Sequence, residues 1–177
     1  MTEVSTTVRR DVELVRAFVN TLDLEDRVDV LDRGWLADQG LLGRTDELDA
    51  VDLERLVDVR EAIRDLLSAN NAVAVNVEAA AATLDGAARQ AGLTVRFRPE
   101  GTVSVEAAAP GGAQAAGRIL GAVGSLIGTD AWSRLKACRW DGCRWAFFDE
   151  ARNRSRAWCS MAACGNRAKA RAFRRRH

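Results

Sequence analysis

Apolar residues recur along the first part of the chain at three- and four-residue steps, the spacing that lines one face of an α-helix. Val8, Val12, Val15, Phe18, Val19 and Leu22 predict a first helix with a single buried stripe. A shorter helix is predicted over Arg27–Ala37, with Val28, Leu31, Trp35 and Leu36 turned inward and an end near Gly40. The clearest amphipathic segment is Asp52–Ala69. Leu53, Leu56, Val57, Ile63, Leu66 and Leu67 are set against Glu54, Arg55, Asp58, Arg60, Glu61 and Asp65. Asn76–Ala91 is rich in alanine, the strongest helix former, and Gly92 is placed to end it.

After Gly92 the period drops to two. Leu93, Val95 and Phe97 alternate with Thr94, Arg96 and Arg98, and Val103 and Val105 with Ser104 and Glu106; Pro99-Glu100-Gly101-Thr102 between them supplies turn chemistry, so the segment predicts one β-hairpin. The breaker-rich stretch from Ala107 to Gly112 reads as a spacer. A helix over Ala113–Ile127 follows, whose Gly117, Gly121 and Gly124 weaken it by about 1 kcal/mol each and point to close contact with another element. A boundary is expected near Gly128, giving a helical domain over 1–128 and a small module over 129–177. The fold class expected is mainly α, with a single hairpin before Trp132.

Charge separates the same two parts. The formal net charge of +1 averages 13 Arg/Lys against 22 Asp/Glu in Met1–Ser133, a balance of −9, and 13 against 3 in Arg134–His177, a balance of +10. That segregation points to a basic, nucleic-acid-facing module joined to an acidic one, against the plainer reading of a solvated basic tail. No apolar run reaches the roughly 18 residues of a membrane span. The charged first residues lack an export signal, so a cytoplasmic setting with reduced thiols is expected.

Cysteine then changes the picture. Cys138, Cys143, Cys159 and Cys164 are the only four, spaced C-x4-C-x15-C-x4-C. Two thiolate pairs separated by the length of a hairpin can converge on one tetrahedral zinc ion, and a closed four-thiolate site is structural because it leaves no coordination position for a reactant. Two disulfides are the alternative, disfavoured by the reducing compartment. Trp140, Trp145, Phe147, Phe148 and Trp158 crowd the same segment, read as packing beside the metal, with one stacked base as the other reading. A final helix over Asn166–Arg175 places Arg167, Lys169, Arg171, Arg174 and Arg175 around a basic rod. Arg152, Arg154 and Arg156 alternate, so an extended strand would present them as one phosphate-binding row, the other reading being a solvated edge. The sole histidine is His177, which removes histidine-based catalysis; the chain is not expected to be an enzyme.

The run Arg134-Leu-Lys-Ala-Cys138, Gly142-Cys143, Phe147-Phe148-Asp149, Arg152-Asn153-Arg154-Ser155-Arg156, Trp158-Cys159-Ser160-Met161-Ala162 and Cys164-Gly165-Asn166-Arg167 closely resembles the CGNR zinc finger, named for its last four residues. Phe18-Val19-Asn20-Thr21 and the Trp35-Leu36 and Gly40-Leu41-Leu42 stretch resemble, more loosely, the helical ABATE domain usually found with that finger, which is associated with stress-induced transcription regulation. The resemblance implies one structural Zn2+ on the four cysteines and a DNA-binding regulator. Arg152, Arg154, Arg156, Asn166, Arg167, Lys169 and Arg171 are the candidate DNA contacts, Asn166 and Arg167 having also a structural reading as a cap and a salt bridge. A zinc-stabilised protein-interaction or RNA-binding module is the alternative. A small-molecule or protein effector at the helical domain and a homodimer are left open.

Overall fold

Aspartate and asparagine caps start three of the helices. The computed structural model describes residues 6–43 and 45–175, so His177 lies outside the described residues. In order come α1 (Thr6–Val19), a two-residue pair β1 (Leu22–Asp23) and β2 (Val28–Asp29), α2 (Arg33–Asp38), α3 (Ala50–Asn70), α4 (Val77–Gln90), the hairpin β3 (Leu93–Phe97) and β4 (Val103–Ala107), and α5 (Gly111–Leu126). Then follow α6 (Asp130–Arg134), β5 (Leu135–Ala137), β6 (Ala146–Phe148), a π-turn (Met161–Gly165) and α7 (Asn166–Arg174). The fold is mainly α, as expected. Asp49 accepts from Asp52 N at 2.7 Å to open α3, and Asn76 from Ala79 N at 3.0 Å to open α4, each satisfying a donor that a helix start leaves free.

Helix α3 lies at the centre, with α1, α4 and α5 packed on it. The core joins Val15, Phe18 and Val19 of α1, Leu56, Ile63 and Leu67 of α3, and Ile119, Val123 and Leu126 of α5. The hairpin pairs Leu93 with Ala107 and Phe97 with Val103, and its base sits on α5 at Gly117. A Cβ there would come 2.6 Å from Ala107 Cβ and 2.9 Å from Ala91 Cβ, so the close contact is with the hairpin and the end of α4. Gly124, by contrast, faces open space.

The second predicted helix needs correction. The helix over Arg27–Ala37 shrinks to Arg33–Asp38, and Val28 lies exposed on β2. Aspartates cause this: Asp23 accepts from the Glu25 and Asp26 N–H groups, Asp29 from Leu31 N, and Asp32 from Trp35 N, local bonds that compete with a continuous helix. The β1–β2 pair is therefore a second small antiparallel unit before Trp132. The core also runs on past Gly128. Ala131, Leu135, Ala137 and Ala146 are buried in the same cluster as α1 and α3.

Candidate metal centre

Strands β5 and β6 pair antiparallel, Leu135 with Phe148 and Ala137 with Ala146, and the eight residues between them form a knuckle. Its turn is closed by Cys143 N and Arg144 N, both donating to Trp140 O, at 2.8 and 3.0 Å. Cys138 and Cys143 thereby face the same point. Cys159 just before the π-turn and Cys164 within it approach from the other side, where Ser160 accepts from Ala163 N and Gly165 N donates to Ser160 O. A Cβ on Gly165 would meet Trp158 at 3.3 Å and the Met161 thioether. Glycine keeps this turn tight.

The four sulfurs lie within 4.8 Å of one another. Cys143 and Cys159 Sγ are 3.6 Å apart, Cys159 and Cys164 Sγ 3.8 Å. A zinc–sulfur bond of about 2.3 Å gives a tetrahedron with edges of about 3.8 Å, whereas a disulfide needs about 2.05 Å. All four cysteines are free, and three are buried with Cys159 half-buried.

Packed this closely, the thiols cannot all ionise unaided. A hydrogen bond from Cys143, joined by backbone N–H groups of Cys159 and Trp140, holds Cys138 down to about 5, against burial. The same Cys138–Cys143 bond, together with burial, pushes Cys143 up; burial first pushes Cys159 up to about 12 and raises Cys164 as well. A dication among them favours the thiolate at every position. The donor set, its spacing and its burial fit one structural Zn2+ held by Cys138, Cys143, Cys159 and Cys164.

A polar latch lays the knuckle on α3. Arg64, 0% exposed, donates from Nη1 to Arg144 O at 3.0 Å, from Nη2 to Val19 O at 2.7 Å and from Nε to Glu61 at 3.1 Å. Burial lowers its pKa, opposed by Glu61. Arg144 returns the contact to Asp65 at 2.7 Å. Asn71 donates to Ala137 O and Ala157 O, Asn70 to Trp132 O and Leu135 O, and Asn20 pairs both ways with the Ala146 backbone. Arg60, also buried, is neutralised by Asp29 and Glu61. Arg60, assigned to the polar face by its charge, follows Leu56 by four residues, and Arg64 precedes Leu67 by three, so helical spacing places both on the inward stripe.

Inside the module Lys136 and Asp149 form a buried pair at 2.7 Å. Burial works against the Asp149 charge, but Lys136 and the N–H groups of Ala151 and Arg156 outweigh it and hold the carboxyl below its ordinary value. This pair disperses the expected arginine row. Lys136 Nζ donates to Arg154 O and Arg156 O, and Asp149 accepts from Arg156 N, folding 151–157 into turns in which Arg154 has φ +52°. No strand forms there. Arg154 turns to Asp130 and Ser133, Arg156 covers the Phe147 ring and donates to Cys159 O, and Arg152 points to solvent. The signal for Lys136 and Asp149 was their place in the motif runs beside the cysteines.

On the last helix, Asn166 Nδ2 donates back to Ala162 O, Arg167 pairs with Glu25 at 2.5 Å, and Arg171 pairs with Asp141 at 3.3 Å. Hydrogen bonding to Arg167 lowers the Glu25 pKa. The side chains of Arg152, Lys169, Arg174 and Arg175 have no hydrogen-bond or ion-pair partner among the described residues.

Residues 134–177 match the CGNR zinc finger family, and residues 13–137 match the family ABATE, described as "Putative stress-induced transcription regulator". No curated protein matches the chain.

Proposed function

The chain belongs to the ABATE family and ends in a CGNR zinc finger, and from that premise we propose that it is a cytoplasmic regulator that binds duplex DNA through the phosphate contacts of its finger. The observation that carries this reading is α7. None of its residues is buried, yet its start is clamped by the metal-binding turn, so it is a rigid rod displaying cations instead of a packing element. The side chains of Lys169, Arg174 and Arg175 on or beside it, and of Arg152 elsewhere in the finger, meet no acceptor among the described residues. The ion pairs of Arg167 and Arg171 are exposed, so a phosphate can replace them at small expense. Arg154, Arg156 and Asn166 contribute to the shape of the finger first and to any DNA contact second.

The reading is of a binding protein and not an enzyme: the metal site is closed and lends no open coordination position. No described helix is long and apolar enough to cross a membrane. An effector has a seat in the helical part, an open cleft of about 660 Å³ lined by Arg10, Leu14, Leu41, Val105 and Arg118, within the size range of small-molecule sites.

The test is duplex binding by the zinc-loaded full chain, followed by fluorescence anisotropy across a salt series. Engagement of ~4–6 phosphates gives a slope of log affinity on log salt of about −4 to −5. Lys169→Gln or Arg174→Gln should flatten that slope by about one unit each and weaken all sequences alike. Absence of duplex binding at low salt would sink the proposal. A specific observation supports a second reading: Arg167 pairs with Glu25, and Arg144 with Asp65, so the acidic helical part already holds cations of its own finger. If duplex fails to bind, the basic surface serves this intramolecular contact or an acidic protein.

A further inference from the structure

A second feature of the finger is not explained by phosphate binding alone. Beside the metal lies a cleft of about 240 Å³ whose walls include Trp140 and Trp158 and whose rim carries Arg139, Arg171, Arg175 and Asp141. We propose that this cleft seats one unstacked nucleobase, with the attached phosphate on Arg171 and Arg175, so that the finger engages single-stranded or locally opened DNA as well as duplex. The proposal rests on the nucleic-acid reading of the finger given above.

Four observations narrow the ligand. The cleft holds roughly eight water volumes, room for one heterocycle but not for a helix or a duplex edge. Both indoles are half-buried, so part of each surface is reachable, and both pack against the buried cluster of Cys138, Cys143, Phe147 and Cys164, which sets their positions. Aromatic surfaces fixed before binding are what base stacking needs. Three arginines against one aspartate exclude a cationic guest, the usual occupant of a tryptophan cage, and favour an anionic one. The cations are also available. The Arg171 guanidinium lies 5.8 Å from the Trp140 ring centroid and is otherwise paired only with an exposed carboxylate, Asp141, while the Arg175 side chain has no partner among the described residues. Arg139 is anchored on the rim, its Nε donating to Asn71 O at 2.7 Å. An inorganic anion would use the arginines but not the two indoles. A nucleotide uses both.

The zinc-loaded full chain is titrated with three fluorescent probes of equal length: a thymidine oligonucleotide, the same backbone with abasic sites, and a duplex. Binding of the thymidine strand should exceed that of the abasic strand by roughly 5–150-fold, the 1–3 kcal/mol that one stacked base supplies. Trp140→Leu should remove that preference and leave duplex affinity within about twofold, Trp140→Phe should restore part of it, and Arg175→Gln should weaken both single strands alike. Zinc content and far-ultraviolet circular dichroism check that each variant is folded. If Trp140→Leu loses zinc, Trp140→Phe and the abasic comparison in the unaltered protein still decide the matter. Equal binding of thymidine and abasic strands, with duplex binding intact, overturns the base-stacking proposal and leaves the DNA-binding reading standing. Loss of affinity for all three probes overturns both.

Discussion

Replacing Arg64 by leucine should loosen the metal module from the helical core, and the size of the effect follows from the atoms involved. The guanidinium is 0% exposed and satisfies two backbone carbonyls, Val19 O at 2.7 Å and Arg144 O at 3.0 Å. Leucine leaves both without a donor, and each buried unsatisfied group costs about 1–3 kcal/mol. Glu61 keeps Arg60 at 3.0 Å, so the carboxylate is not stranded. Leucine recovers some apolar burial and avoids desolvating a charge, which offsets part of the loss. A net destabilisation of about 3 kcal/mol is expected, or about 6–12 °C in Tm for a chain of this size. Arg144 directly follows Cys143, so zinc affinity in a chelator competition should also fall, by about 10–100-fold as for other groups that orient a metal ligand. Arg55→Leu is the control: that side chain is 52% exposed on the same helix, and its change should stay within about 0.5 kcal/mol. Thermal unfolding followed by circular dichroism, with zinc occupancy read by a colorimetric chelator, measures both effects. If Arg64→Leu is no less stable than Arg55→Leu, the latch does not hold the module and the reasoning fails.

Elemental analysis should find one zinc per chain, and Cys159→Ser should abolish it and unfold α7 while α1, α3, α4 and α5 keep their helical signal; complete loss of that signal would show that the helical core depends on the metal. Asp149→Asn should destabilise the finger by about 3–5 kcal/mol, because it strands the buried Lys136 charge. The folded Asp149 carboxyl is held below its ordinary value, so its contribution is present above the usual carboxylate range and is lost as pH falls through the depressed pKa; the stability gap between wild type and variant should therefore narrow on acidification, and a gap independent of pH would refute the assignment. Gly117→Ala should destabilise by about 1–3 kcal/mol through the 2.6 Å approach to Ala107, whereas Gly124→Ala, in open space on the same helix, should stabilise by about 0.4–1 kcal/mol; thermal melts of the two variants distinguish contact from conformational freedom.

Features carried by residue type and short spacing were legible in the chain itself. The cysteine pairs specify their ligand chemistry wherever the backbone brings them, and the alternation from Leu93 to Val105 specifies a hairpin because a strand has only two faces. The caps at Asp49 and Asn76 act within three residues. What lay beyond the sequence was decided by partners distant along the chain. Arg60 and Arg64 share the inward stripe of α3 with Leu56, Ile63 and Leu67, but their charges can stay there only because Asp29 on β2, the end of α1 and the knuckle after Cys143 close around them and supply their acceptors. Arg152, Arg154 and Arg156 read as a row only if their backbone is extended; Lys136 and Asp149 claim that backbone's carbonyls and N–H groups and turn the side chains apart. Local pattern fixes what a residue prefers. Burying a charge or bending a strand requires acceptors and donors from elsewhere, and only the tertiary structure determines whether they arrive.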